Sequence, residues 1–190
     1  MNQPAPRLRR ALRVLASSVI VMGSWSLAAI ALGGAGGDGR ADVYGIWASS
    51  GTMIEVKSVG ERLSARIIAL KHPDWREKDE KGEVGEPKTD LYNSDASQHG
   101  RPLIGLEMLS GYQYRKGRWR GRLYLPSNGT DWTSTVRLKK GELLIRGYAG
   151  VPIFGKTQTF VPLSACSENI LRMIENAGMK DTPCSRVTGQ

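Results

Sequence analysis

The side chains able to do chemistry are few, and the two histidines of the chain, His72 and His99, stand at the ends of one polar stretch, residues 72–101. A zinc site gathers three or four His, Cys, Asp or Glu ligands at short spacing. No third ligand type is spaced that way around this pair, so both histidines read as solvated loop residues and no metal is expected. Neither Gly-x-Ser-x-Gly nor His-Glu-x-x-His occurs, which leaves acyl-transfer and zinc-protease chemistry without their usual carriers. Gly34-x-Gly36-x-x-Gly39 spells the dinucleotide fingerprint, but it follows an apolar run instead of a strand and opens no helix. No cofactor is expected. Asn93-Ser94-Asp95-Ala96-Ser97 starts like a calcium loop, with Gln98 where the turn glycine belongs and Ile104 where the bidentate acid belongs. The chain reads as a non-enzyme; a catalytic reading would have to rest on His72 or His99.

Other charges suggest surfaces. Arg118, Arg120 and Arg122 alternate with Trp119, Gly121 and Leu123, so one strand face is basic and the other apolar. Arg115, Lys116, Arg137, Lys139 and Lys140 add positive charge nearby. Attraction to an anionic membrane or cell-wall surface is one reading, and a solvated outer face is the other. Cys166 and Cys184 are the only cysteines and lie close together near the C-terminus. In an exported chain they predict a disulfide, and closing a loop of roughly 20 residues contributes about 3 kcal/mol.

The elements that position these groups are strands. Residues 52–58 alternate, with Ile54 and Val56 on one face and Glu55 and Lys57 on the other. Residues 63–70 form a richer apolar run, expected to be buried on both faces. Further strands are expected over 106–115, 118–125, 131–138, 142–148 and 156–161. Lys116-Gly117, Asn128-Gly129 and Lys140-Gly141 supply the turns. With the segment around Trp47, this is an all-β chain of about eight short strands joined mostly by hairpins, which closes into an antiparallel up-and-down barrel. The polar loop 72–101 interrupts the meander and is long enough to be functional or mobile. After Ser167, the spacing of Ile170, Leu171, Ile174 and Ala177 makes one apolar face of a short C-terminal α-helix ended by Gly178.

The N-terminus reads as an export signal. Arg7, Arg9, Arg10 and Arg13 precede an uncharged apolar core over 14–32, followed by small residues that could be cleaved before residue 42. The core is long enough to span a bilayer, so an uncleaved inner-membrane anchor is the alternative to a periplasmic or secreted protein. Five basic residues and one acid precede residue 42, so the formal charge of +9 falls to +5 for the remainder. A modest excess without a concentrated patch does not indicate nucleic-acid binding.

Gly45-Ile46-Trp47, Arg101-Pro102-Leu103-Ile104-Gly105-Leu106, Gly117-Arg118-Trp119-Arg120-Gly121 and the long run from Arg146-Gly147-Tyr148-Ala149-Gly150 to Gln158 together resemble the exported bacterial family called domain of unknown function 2147. The resemblance spans residues 44–162 and implies a lipocalin-like barrel with no established activity. It also implies that Trp47 closes one end of the barrel against a basic side chain from a late strand, for which Arg146 is the candidate, and that Asp90, Asn93, Asp95 and Arg101 share a polar network. Simple loop capping by the Asx side chains is the alternative. The chain departs from the family pattern at Leu125-Pro126, Phe160-Val161-Pro162 and Ser50-Gly51.

The expected organisation is therefore a signal peptide or anchor over 1–41, a lipocalin-like barrel over 42–163, and a helical, disulfide-tied tail over 164–190. An eight-stranded barrel is wide enough to be packed solid or to hold one small ligand. The leading expectation is non-catalytic binding of a small apolar or amphipathic molecule, with Trp47, Tyr112, Tyr114, Trp119, Arg146 and Tyr148 as tentative ligand residues and the Asp90–Arg101 loop as a polar mouth. The alternative is an interaction protein with a filled barrel and a basic outer face.

Overall fold

The structure, a computed structural model, describes residues 40–186. The expected signal or anchor segment lies outside the described residues, apart from its last two positions. Eight strands form a closed barrel in which each pairs antiparallel with the next and the last returns to the first. They are β1 (Gly45–Ala48), β2 (Thr52–Val59), β3 (Arg62–Leu70), β4 (Glu107–Arg115), β5 (Arg118–Leu125), β6 (Thr130–Lys139), β7 (Glu142–Tyr148) and β8 (Lys156–Pro162). One helix, α1 (Glu168–Asn176), follows. Lys116-Gly117 and Lys140-Gly141 both carry positive φ at their two residues, the I′ geometry whose twist matches that of paired strands.

Alternation decides what the barrel encloses. Ile54 and Val56 on β2, Leu63 and Ala65 on β3, Trp119 and Leu123 on β5, and Leu143 and Ile145 on β7 are buried in one cluster. Arg118, Arg120 and Arg122 stay exposed between the apolar positions of β5. Where the phase changes, a register shift is found. In β4 one falls between Ser110 and Gln113, so Leu109 and Tyr112 both reach the core although three residues apart.

The expectation that residues 63–70 are buried on both faces holds for only part of the strand. Arg66 is exposed and paired with Glu55 at 3.0 Å. The outer face is covered only at the far end of β3, where Ile68 and Ala69 join Met53, Leu163, Ile170 and Met173 in a second cluster. That cluster lies beneath α1. Ser167 caps the helix by accepting from the Ile170 amide. At the other end, bonds from the Gly178 and Met179 amides to the Glu175 and Ile174 carbonyls close it. Asn176 donates to the carbonyls of Leu70 and Lys71 at 3.0 and 3.1 Å, fastening the helix to the end of β3. Cys166 and Cys184 form the expected disulfide, with Cα atoms 5.4 Å apart.

Candidate functional site

The two ends of the barrel differ. At the end where β1 begins, the 3₁₀ turn Ala41–Val43 places buried Val43 against the core, and the Trp47 indole N–H donates to the Val43 carbonyl at 2.9 Å. Trp119 is 2 % exposed and meets Tyr114 edge-on at 5.3 Å and Tyr44 at 6.2 Å. Tyr112 and Phe160 are fully buried, and the Tyr112 hydroxyl bonds Ser134. Burial pushes the Tyr112 hydroxyl pKa well above its ordinary value, so it remains a neutral hydrogen-bonding group. Side chains fill the barrel at this end, and what opens beside them is a pocket of about 190 Å³ between Val43, Tyr114, Trp119 and Arg137.

The opposite end is built by the loop between β3 and β4. Asp90 is 0 % exposed, and its two oxygens hold the loop together. Oδ2 accepts from Arg101 at 2.6 Å and from the Asn93 amide at 2.8 Å, and Oδ1 accepts from the Tyr124 hydroxyl at 2.7 Å. Asp95 caps the short turn after it through the Ser97 amide, and His99 bonds the Asn93 carbonyl at 2.9 Å. The four residues expected to share a polar network are in one connected set, which Asp95 joins through its backbone N–H, donating to Asn93 Oδ1 at 2.9 Å. Tyr124, from β5, completes it. Burial and then Asp90 push the Tyr124 hydroxyl up to about 12, so it stays a donor.

A second hub is Trp75, 7 % exposed despite its highly charged sequence surroundings. Its backbone pairs with Gly85 and Glu86, and the Lys88 ammonium stands 5.1 Å from its ring. Lys88 also meets Asp79 at 2.9 Å, and Arg76 reaches the same carboxylate at 3.5 Å.

Between this loop and the open end lies a cavity of about 490 Å³. Its apolar lining includes Ile67, Leu70, Trp75, Tyr92 and Leu103, and its charged lining comes from Lys71, His72, Arg76, Lys78 and Lys88 against Asp79 and Glu80. Burial, then the cations Arg76, Lys71 and Lys78, lower the His72 pKa. A smaller cavity of about 270 Å³, lined by Leu123, Leu125, Trp132, Ile145 and Gln158, opens at the same end and shares Ser127 with the first.

None of the tentative ligand residues lines the larger cavity. Trp47, Tyr112 and Trp119 fill the closed half, and Tyr114 packs beside Trp119. Arg146 does not stack on Trp47. Neighbouring strand residues face opposite sides, and because Leu143 and Ile145 point inward, Arg146 lies outside, where it bonds the carbonyls of Pro152 and Ile153. Tyr148 shares that outer face, beside Arg146 and Pro152. The Asp90–Arg101 network does not supply the polar mouth either: its groups bond one another, and the cavity's charges come from residues 71–88. Sequence reasoning passed over Trp75, Leu103 and Tyr124. A tryptophan inside a charged loop was the available signal, since so large an apolar surface requires cover.

Residues 45–161 match the family described as "Uncharacterized protein conserved in bacteria (DUF2147)". The chain belongs to this family. Among solved structures it is similar to protein HP1028 from the human pathogen Helicobacter pylori, which belongs to the lipocalin family. The TM-score is 0.52 at 19 % identity, over 73 % of this chain and 90 % of that one. At that identity the likeness establishes a shared barrel fold, and this member of the family is lipocalin-like. No curated protein matches the chain. Among the described residues no helix is long and apolar enough to cross a membrane, and no three His, Cys, Asp or Glu side chains gather as a metal site.

Proposed function

We infer that the chain is a non-catalytic binding protein that takes a small amphipathic molecule into the open end of its barrel, apolar part inward and anionic head outward. The observation that carries this reading is the cavity of about 490 Å³ beneath the loop, within the roughly 300–1,000 Å³ usual for small-molecule sites. Ile67, Leu70, Trp75 and Leu103 offer the apolar contact. The lining cations outnumber the acids, and Asp79 is already engaged by Lys88 and Arg76, which favours a carboxylate or similar head beside Lys71 and Lys78. Export belongs to the same reading. It is supported by the disulfide, which persists in oxidising compartments, and by the arginines and apolar run of the N-terminus.

The test is titration with a fluorescent long-chain carboxylate. Saturable binding near one per chain is expected, reversed by unlabelled fatty acid and abolished by Leu103→Arg. Absence of saturable binding, or binding indifferent to Leu103→Arg, would remove this assignment.

A further inference from the structure

The outer face of β5–β8 carries a second constellation, on a different surface from the cavity. Arg120 lies opposite Thr135, Thr135 opposite Arg146, and Arg146 opposite Thr157, so one rung crosses four strands. Arg118 and Arg137 follow just beyond the Trp119–Val136 pair. These four arginines wall one pocket of about 180 Å³ together with Tyr148 and Pro152, and no carboxylate lines it. Like charges on adjacent strands repel, so such a cluster costs stability unless an anion occupies it. Arg122, which shares the strand face, is outside the set: Asp131 pairs with it at 2.7 Å.

The rim of this pocket is apolar and exposed. Pro152 begins a 3₁₀ turn, Pro152–Phe154, in which Ile153 and Phe154 are 77 % and 80 % exposed. Arg146 holds the turn in place, its Nη2 donating to the Pro152 and Ile153 carbonyls at 2.8 and 3.2 Å while Nη1 reaches Thr157 at 3.0 Å. Gly155 lets the chain descend onto β7, since a Cβ there would stand 2.6 Å from the Gly147 carbonyl. The apolar pair is therefore braced outward by the same guanidinium that helps to line the basic pocket.

We propose that this face docks the protein on an anionic phospholipid bilayer, with a headgroup phosphate among Arg118, Arg120, Arg137 and Arg146 and with Ile153 and Phe154 entering the interface. A soluble polyanion would account for the arginines and leave the braced apolar turn without a purpose. A lipid surface uses both, because interfacial binding sums buried apolar area and attraction to anionic headgroups.

The test is co-sedimentation of the full chain with phosphatidylcholine vesicles, with and without phosphatidylglycerol. Residues 1–39 are common to all variants, so the readout is the gain in binding that phosphatidylglycerol brings. A salt-sensitive gain is expected. Arg120→Ser with Arg137→Ser should reduce it roughly thirty-fold, at about fivefold per basic residue. Ile153→Ser with Phe154→Ser should reduce it at least about tenfold. Phe154→Trp should add blue-shifted fluorescence on the anionic vesicles alone. Leu103→Arg, which blocks the cavity, should leave the gain unchanged; if it removes the gain, the lipid is being taken into the barrel and the docking face is refuted. No gain, or a gain insensitive to the arginine pair, also overturns the proposal. A gain lost with the arginines but not with Ile153 and Phe154 is electrostatic attraction alone and overturns docking through the apolar turn.

Discussion

The Tyr124 hydroxyl donates to Asp90 Oδ1 at 2.7 Å and joins residues 34 apart in the chain. Through that bond the loop over the barrel mouth is fixed to the barrel wall. Asp90 is fully buried and its other oxygen is held by Arg101 and Asn93, so the loop's position depends on a charge that water does not reach.

Removing either partner should therefore loosen the mouth. Tyr124→Phe leaves Asp90 Oδ1 without its donor, at a cost of about 1–2 kcal/mol. Asp90→Ala strips three side-chain partners at once and should cost about 3 kcal/mol. Urea unfolding measures both. Because the folded Tyr124 pKa lies near 12, above its usual 10, its contribution is present below about pH 10. It is lost as pH rises through 12. A Tyr124→Phe protein as stable as the parent at pH 8 would contradict this account.

The Asp79 cluster predicts the acid limit of the site. The Lys88 hydrogen bond, with further help from Arg76, holds the Asp79 carboxyl down to about 2. The unfolded value is about 3.9, so the cluster's stabilisation is complete above that pH and is lost as pH falls through 2. Trp75 lies beside Lys88 and reports the change by fluorescence. Asp79→Asn should abolish the acid-induced step; an unchanged step in that variant would assign it to another group.

His72 offers a readout of the ligand's head group. Burial and neighbouring cations lower its pKa in the free protein. An anionic head in the cavity offsets those cations, so saturating carboxylate ligand should raise the His72 pKa in an NMR titration. A ligand that binds without moving His72 must place its charge elsewhere.

Opening the Cys166–Cys184 bond should act on the helix before the barrel. The bond closes a loop with a sequence separation of 18, so replacing both cysteines by Ser should cost about 3 kcal/mol. Amide exchange should rise in α1, whose Ile170 and Met173 pack on Met53 and Ala69, while β5 and β6 remain protected. Equal loss of protection in both regions would show that the tail is part of the barrel's own folding unit.

Much of this was already present in the residues. Alternating runs and Lys-Gly turns specify the strands, because side chains in a strand change face at every residue and an I′ turn demands positive φ. The apolar spacing after Ser167 specifies α1, and Asp90, Asn93, Asp95 and Arg101 lie near enough in the chain to meet within one loop. What alternation leaves undetermined is which face becomes the interior and where its phase changes. Arg146 lies outside because Leu143 and Ile145 lie inside, and Tyr112 faces inward only after the irregularity between Ser110 and Gln113. The cavity is a tertiary product in the same sense. Ile67, Trp75, Leu103 and Ser127 come from one strand, the two ends of one long loop and a turn, and closure of the barrel brings them together. Local pattern thus decided the strands, the helix and the disulfide; long-range closure decided what is inside, what is open and which arginines share a pocket.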